Sequence, residues 1–77
     1  MRVTLVLHSY LREKLPPEAK GRAVLELVSG SRVKDVFARF DLPPAAAWSL
    51  NGKLERDIEK VLQDGDELRV FRPAGGG

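Results

Sequence analysis

Hydrophobic positions alternate at the start of the chain. Val3, Leu5 and Leu7 share one parity, and Arg2, Thr4, Val6 and His8 share the other. This pattern predicts a strand over residues 2 to 8 with one face turned inward. Ser9 to Gly21 is polar and holds Pro16 and Pro17, so Tyr10 to Leu15 has room for one short helical turn before the prolines end it. Alternation returns over residues 22 to 28, where Ala23, Leu25 and Leu27 share a face and Ser29-Gly30 closes the strand. The period then changes. Val33, Val36, Phe37 and Phe40 fall at i, i+3, i+4 and i+7, the apolar stripe of an amphipathic helix. Ser31 stands where an N-cap hydroxyl would accept from a first-turn amide, and Asp41 to Pro44 ends the helix.

Ala46 to Leu50 reads as a third strand, with Trp48 as packing. Asn51-Gly52 follows, a two-residue hairpin signal, because both residues tolerate positive φ. Lys53 and Leu54 begin the returning strand. Ile58, Val61 and Leu62 have helical spacing and predict a short helical turn. Asp64-Gly65-Asp66 is another turn, and Glu67 to Arg72 is the last strand, with Leu68 and Val70 on one face and Arg69 and Phe71 on the other. The predicted order is β-β-α-β-β-β with a very short fourth strand. That is an α+β architecture: a sheet of four to five strands with one main helix packed on one face. The other face stays open to a partner. Residues 1–72 form the domain and residues 73–77 a flexible tail.

Composition narrows the functional classes. A chain of 77 residues is a single domain, and one this small buries only roughly 60% of its unfolded surface, which leaves little room for an enclosed catalytic pocket. This points to a carrier, subunit or binding module rather than a self-sufficient enzyme. Apolar residues are 43% and charged residues 31%, a globular profile. The 13 basic and 11 acidic side chains are interspersed and give a net charge of +2, with no basic stripe interleaved with aromatics. Nucleic acid is not an expected partner. The N-terminal apolar stretch is too short for a signal peptide, and nothing approaches a transmembrane span, so no membrane partner is expected either. The absence of cysteine favours the cytoplasm and removes thiolate nucleophiles and zinc-thiolate sites. One histidine and scattered carboxylates lack the count and spacing of a metal site.

After the last strand come Pro73, Ala74 and Gly75-Gly76-Gly77. Such a segment is either an ordinary frayed terminus or a slender tail that threads a narrow channel, where glycine lets the backbone approach another protein's catalytic groups. If the tail is functional, its reactive group is the Gly77 carboxylate. A carboxylate is a poor electrophile and needs activation, most simply as an acyl-adenylate made from ATP. The chain has no phosphate-cradling glycine loop followed by Lys-Ser/Thr, so the activating machinery belongs to a partner.

Three features taken together resemble the MoaD/ThiS family of β-grasp, ubiquitin-like sulfur carriers. They are Leu50-Asn51-Gly52-Lys53-Leu54, the Asp64-Gly65-Asp66-Glu67 turn, and the tail. The long first connection with Leu11-Arg12-Glu13, and the ending Val70-Phe71-Arg72-Pro73-Ala74-Gly75-Gly76-Gly77, are similar to the small subunit of molybdopterin synthase. The sequence departs from that subunit at Arg72, where proline is more usual, and in its third glycine. Arg72 is also similar to the arginine-bearing tail of ubiquitin, which leaves the branch open.

The resemblance implies that Gly77 is adenylated by an E1-like (MoeB/ThiF-like) enzyme using ATP and then exchanged for a thiocarboxylate, with Gly75 and Gly76 completing the tail. No tightly bound cofactor is expected. The sulfur acceptor would be an enzyme such as the large molybdopterin synthase subunit. The alternatives are a ThiS-type carrier for thiamin thiazole or tRNA thiolation, and a modifier that forms isopeptide bonds with lysines. The resemblance also implies a partner-binding patch at His8, Leu54 and Phe71. Arg12 and Arg72 are added to it as candidates. Phe71 is either an exposed anchor on the open face or a cap on the edge of the core. Arg12 either pairs with Glu13 or Glu18 or grips a partner carboxylate. His8 has no acidic neighbour in the sequence, so it is expected as a surface or rim histidine rather than a base.

Overall fold

Two strands that are far apart in sequence lie side by side at the centre of the sheet. In the computed structural model, which describes residues 1–73, β1 (Arg2–Leu7) pairs in parallel with β5 (Glu67–Pro73). The chain runs β1, β2 (Arg22–Glu26), α1 (Val33–Arg39), β3 (Ala46–Leu50), β4 (Lys53–Glu55), β5. The five strands are ordered β2-β1-β5-β3-β4. The β1–β2, β3–β4 and β3–β5 pairs are antiparallel. The strands and the one main helix are those that the hydrophobic pattern predicts, and the mixed sheet is that of the β-grasp fold that the resemblance implies. The tail residues Gly75, Gly76 and Gly77 lie outside the described residues.

The core is the inward parity of the central strands. Val3, Leu5, Leu7, Leu68 and Val70 are all buried, joined by Trp48 and Leu50 from β3 and by Val33, Val36 and Phe37 from α1. Each such side chain contributes about 1.5–3 kcal/mol relative to exposure. Leu11 and Leu15 join the same core from the first connection, where Ser9–Lys14 forms the expected helical turn as a 3-10 helix. Phe40 packs partly buried at the end of the helical stripe.

Two local expectations are corrected. Ser31 does not cap α1: its hydroxyl donates to the Val28 carbonyl at 2.7 Å, and the helix begins two residues later. Ile58 to Leu62 is not a helical turn. It runs beside the start of α1, where the carbonyls of Lys60 and Ile58 accept from the amides of Val33 and Lys34 at 3.0 and 2.9 Å. Asp35 accepts from the Arg32 amide at 2.7 Å. The free amides of a helix start need acceptors, and here a distant loop supplies them in place of a local hydroxyl. The Leu62 amide donates to Ser31 at 2.8 Å and its side chain is buried, while Ile58 and Val61 stay partly exposed.

Candidate functional site

Two of the three features that carry the family resemblance meet in space. The Asn51-Gly52 turn links β3 to β4 with both residues at positive φ, as hairpin chemistry requires. The Asn51 side chain then reaches the turn before β5. Its Nδ2 donates to Asp66 Oδ1 at 2.8 Å, and its Oδ1 accepts from the Glu67 amide at 2.8 Å. Asp66 Oδ2 accepts from the Gln63 amide at 2.8 Å. On the other side, Asp64 accepts from the Arg2 amide at 2.7 Å, and the Gly65 amide donates to the Arg2 carbonyl at 2.8 Å. The start of β5 is thus tied to both of its neighbours, and its other end is the one that the tail follows in sequence.

At that other end β1 runs alongside β5, and the His8 amide donates to the Val70 carbonyl at 3.1 Å. The His8 ring stacks on Phe71 with centroids 4.8 Å apart and planes 14° from parallel. Both residues are half-buried. His8 Nε2 is a buried atom with no hydrogen-bond partner among the described residues. Among the described residues no carboxylate is hydrogen-bonded to this ring.

A β-bulge decides where Arg72 goes. Trp48 pairs with Val70, yet Ala46 pairs with Pro73, so Phe71 and Arg72 together oppose Ala47. Trp48 and Ala46 both face the core. Strict alternation from Leu68 and Val70 would turn Arg72 inward. The extra residue places Phe71 and Arg72 together on the open side.

The register fixes the rest of the open face. Arg22, Val6, Arg69, Ser49 and Leu54 lie in one row across the five strands. Leu54 is 72% exposed, on the edge strand, with β3 between it and Phe71. Arg69 Nε binds Glu67 Oε1 at 2.8 Å, and that hydrogen bond, helped by the charges of Arg69 and Arg22, holds the Glu67 carboxyl below the usual carboxylate range. Arg22 and Arg69 were not singled out from sequence, although their outward parity was legible there. Together with Arg72 they share this side of the sheet with Glu67, Phe71 and Leu54, while Val6 beneath them is buried. Arg12 is placed elsewhere. Neither Glu13 nor Glu18 pairs with it, and it packs over Gly21, where an added Cβ would lie 2.9 Å from Arg12 Cγ. The structure therefore brings His8, Phe71 and Arg72 together, puts Leu54 on the same face, and leaves Arg12 on the flank.

Among the described residues, no three His, Asp or Glu side chains converge as metal ligands, and no helix is long and apolar enough to cross a membrane.

No family model matches the chain, and no curated protein does either. Solved structures do. The putative molybdopterin converting factor subunit 1 of Pyrococcus furiosus superposes with a TM-score of 0.73 at 20% identity, over 95% of this chain and 98% of that one. A chain of the Helicobacter pylori complex of subunits 1 and 2 of molybdopterin-converting factor gives 0.66 at 17%, over the full length of both. Small archaeal modifier protein 1 of Haloferax volcanii gives 0.74 at 16%, over 94% and 97%. With these likenesses and the β2-β1-β5-β3-β4 sheet covered by one helix, the chain has the β-grasp, ubiquitin-like fold.

Proposed function

We propose that this chain is a cytoplasmic, ubiquitin-like sulfur carrier of the MoaD type, activated at Gly77 by a partner enzyme. The observation that carries the reading is the path of β5. That strand is tied at its start by the Asn51–Asp66 network and ends on a half-buried aromatic, stacked on His8, and an exposed arginine. It leads directly into Gly75-Gly76-Gly77, and the chain has no cysteine to hold sulfur instead.

In the proposed chemistry a Gly77 carboxylate oxygen attacks the α-phosphorus of ATP on an E1-like enzyme, and pyrophosphate leaves. Sulfur at the sulfide level then attacks the acyl carbon, AMP leaves, and the product is a thiocarboxylate. The domain's part is binding and aim. Phe71 and His8 supply an apolar stacked surface, Arg72 and Arg69 supply charge, and the small tail residues enter the partner's site. The likeness to subunits of molybdopterin-converting factor supports a larger synthase subunit as the acceptor enzyme, with molybdopterin as the product.

A second reading is favoured by the likeness to a small archaeal modifier protein: Gly77 joins lysines of other proteins through isopeptide bonds. Both readings use the same activation and differ in product. Intact-mass analysis after incubation with an E1-like enzyme, ATP and a sulfur donor tests them. Replacement of one oxygen by sulfur supports the carrier, and lysine conjugates of higher mass support the modifier. If neither product forms, and a chain lacking Gly76-Gly77 functions as well as the intact one, both readings fail.

A further inference from the structure

The sheet has a free edge whose side chains are complementary to themselves. Among the described residues β2 is an edge strand, paired only with β1. The hydrogen bonds that bracket this pair fix which backbone groups are used. Met1 and Leu27 exchange bonds at 2.9 Å in both directions, and the Leu7 amide donates to the Gly21 carbonyl at 2.7 Å. The antiparallel register between them, Arg2 opposite Glu26 through Val6 opposite Arg22, then commits the odd-numbered residues of β2 to β1. The amides and carbonyls of Arg22, Val24 and Glu26 point away from the sheet. An edge of this kind is a template for another strand.

The side chains of the same three residues stand on the open face. Arg22 and Glu26 are exposed, and Val24 is 63% exposed, a large apolar residue between opposite charges. Among the described residues Arg22 makes no ion pair, while Glu26 binds Arg2 through one carboxylate oxygen at 2.8 Å. Consider a two-fold axis beside Val24. Antiparallel pairing about it sets Val24 opposite Val24 of the second copy and Arg22 opposite Glu26 of the second copy, and the converse follows by symmetry. All three pairs fall on the hydrogen-bonding positions that are free. The backbone parity, the apolar centre and the flanking charges agree on one register.

We infer that β2 is a homodimerisation edge: two copies of this chain pair antiparallel through Arg22, Val24 and Glu26 and join their sheets into one. The contact is one short strand per copy, so it is a weak interface of the transient class. It leaves Phe71, Arg72 and the tail side of β5 uncovered, because β1 lies between them and β2. It does not depend on the carrier reading.

Sedimentation equilibrium from about 10 µM to about 1 mM, spanning weak transient affinities, should show mass rising from 8.5 kDa toward twice that value. Two-dimensional amide NMR over the same range should move the Arg22, Val24 and Glu26 resonances most. R22E opposes two acidic side chains and should weaken association at least tenfold, and R22E/E26R should restore it. V24P removes an outward amide that β1 does not use, and should abolish dimerisation while far-UV circular dichroism stays native. A chain that stays monomeric throughout, shifts centred on Lys53 to Glu55 instead, or R22E associating as well as the parent would overturn the proposal. The surface charge variants keep the test valid if V24P fails to fold.

Discussion

Asn51 carries three separate roles, and substitutions can take them apart. It holds φ at 52°, it accepts from the Glu67 amide, and it donates to the Asp66 carboxylate. Asn51→Gly keeps the backbone conformation and deletes both side-chain bonds. The neutral bond is worth about 1 kcal/mol and the charge-assisted one, partly solvated, about 1.5, which predicts a loss of about 2.5 kcal/mol. Asn51→Ala deletes the same bonds and adds about 1 kcal/mol for a Cβ in the left-handed region, about 3.5 in all. A chain of this size has a total stability of roughly 4–12 kcal/mol, so both losses are a large share of it. In melting temperature, at about 4–8 °C per kcal/mol, Asn51→Gly should lose at least about 10 °C and Asn51→Ala about 4 °C more. Urea titration with thermal melts provides the measurement. A double cycle with Asp66→Ala should return a coupling of about 1–1.5 kcal/mol, because each single change already breaks the shared bond. Asn51→Gly within about 0.5 kcal/mol of the parent, or strict additivity with Asp66→Ala, would refute the claim that this network anchors β5.

Three further outcomes follow from the same geometry. Gly21→Ala puts a Cβ 2.7 Å from the Leu7 carbonyl at a φ of +78°, whereas Gly30→Ala meets open space at +92°; chemical denaturation should show the first costing at least about 2 kcal/mol more. Phe71→Ala should lower the melting temperature only modestly, since the ring is half-buried, yet slow adenylation or sulfur transfer at least tenfold by raising the KM for the carrier, as removal of an interface anchor does. Arg69 holds the Glu67 carboxyl below its ordinary range, so that pair stabilises the fold above the unfolded-state value and the contribution disappears as pH falls through the folded one. The stability gap between the parent and Glu67→Gln should therefore be present at neutral pH and close in acid, and a gap that widens on acidification would contradict the pairing.

Much of the fold was legible in the chain because its two periods are clean. Val3, Leu5 and Leu7 against Leu68 and Val70 mark the inward faces of the two central strands, and Val33, Val36 and Phe37 mark the helix that covers them. Asn51-Gly52 announces its turn because only residues tolerant of positive φ fit there. The outward parity of His8 and Phe71 was equally readable, and their stacking follows once β1 and β5 are neighbours. Ser31 and the Ile58 to Leu62 segment misled for one reason. Local chemistry predicts a cap and a helical turn, but both sets of backbone groups found better partners in each other, far apart along the chain.

The sequence by itself determined the strands and the main helix, their order, the core positions they carry and the glycines at the end, since these depend on side-chain period, turn chemistry and composition. Tertiary structure alone decided which strands are neighbours, because strand pairing is non-local. It decided that Asn51 and Asp66 form one network, because their contact spans fifteen residues. It put Arg72 on the open face, since a bulge arises only when β5 is laid against β3 and one strand has a residue too many. It also left the even-numbered backbone groups of β2 at a free edge, a matter of which strand happens to have no neighbour.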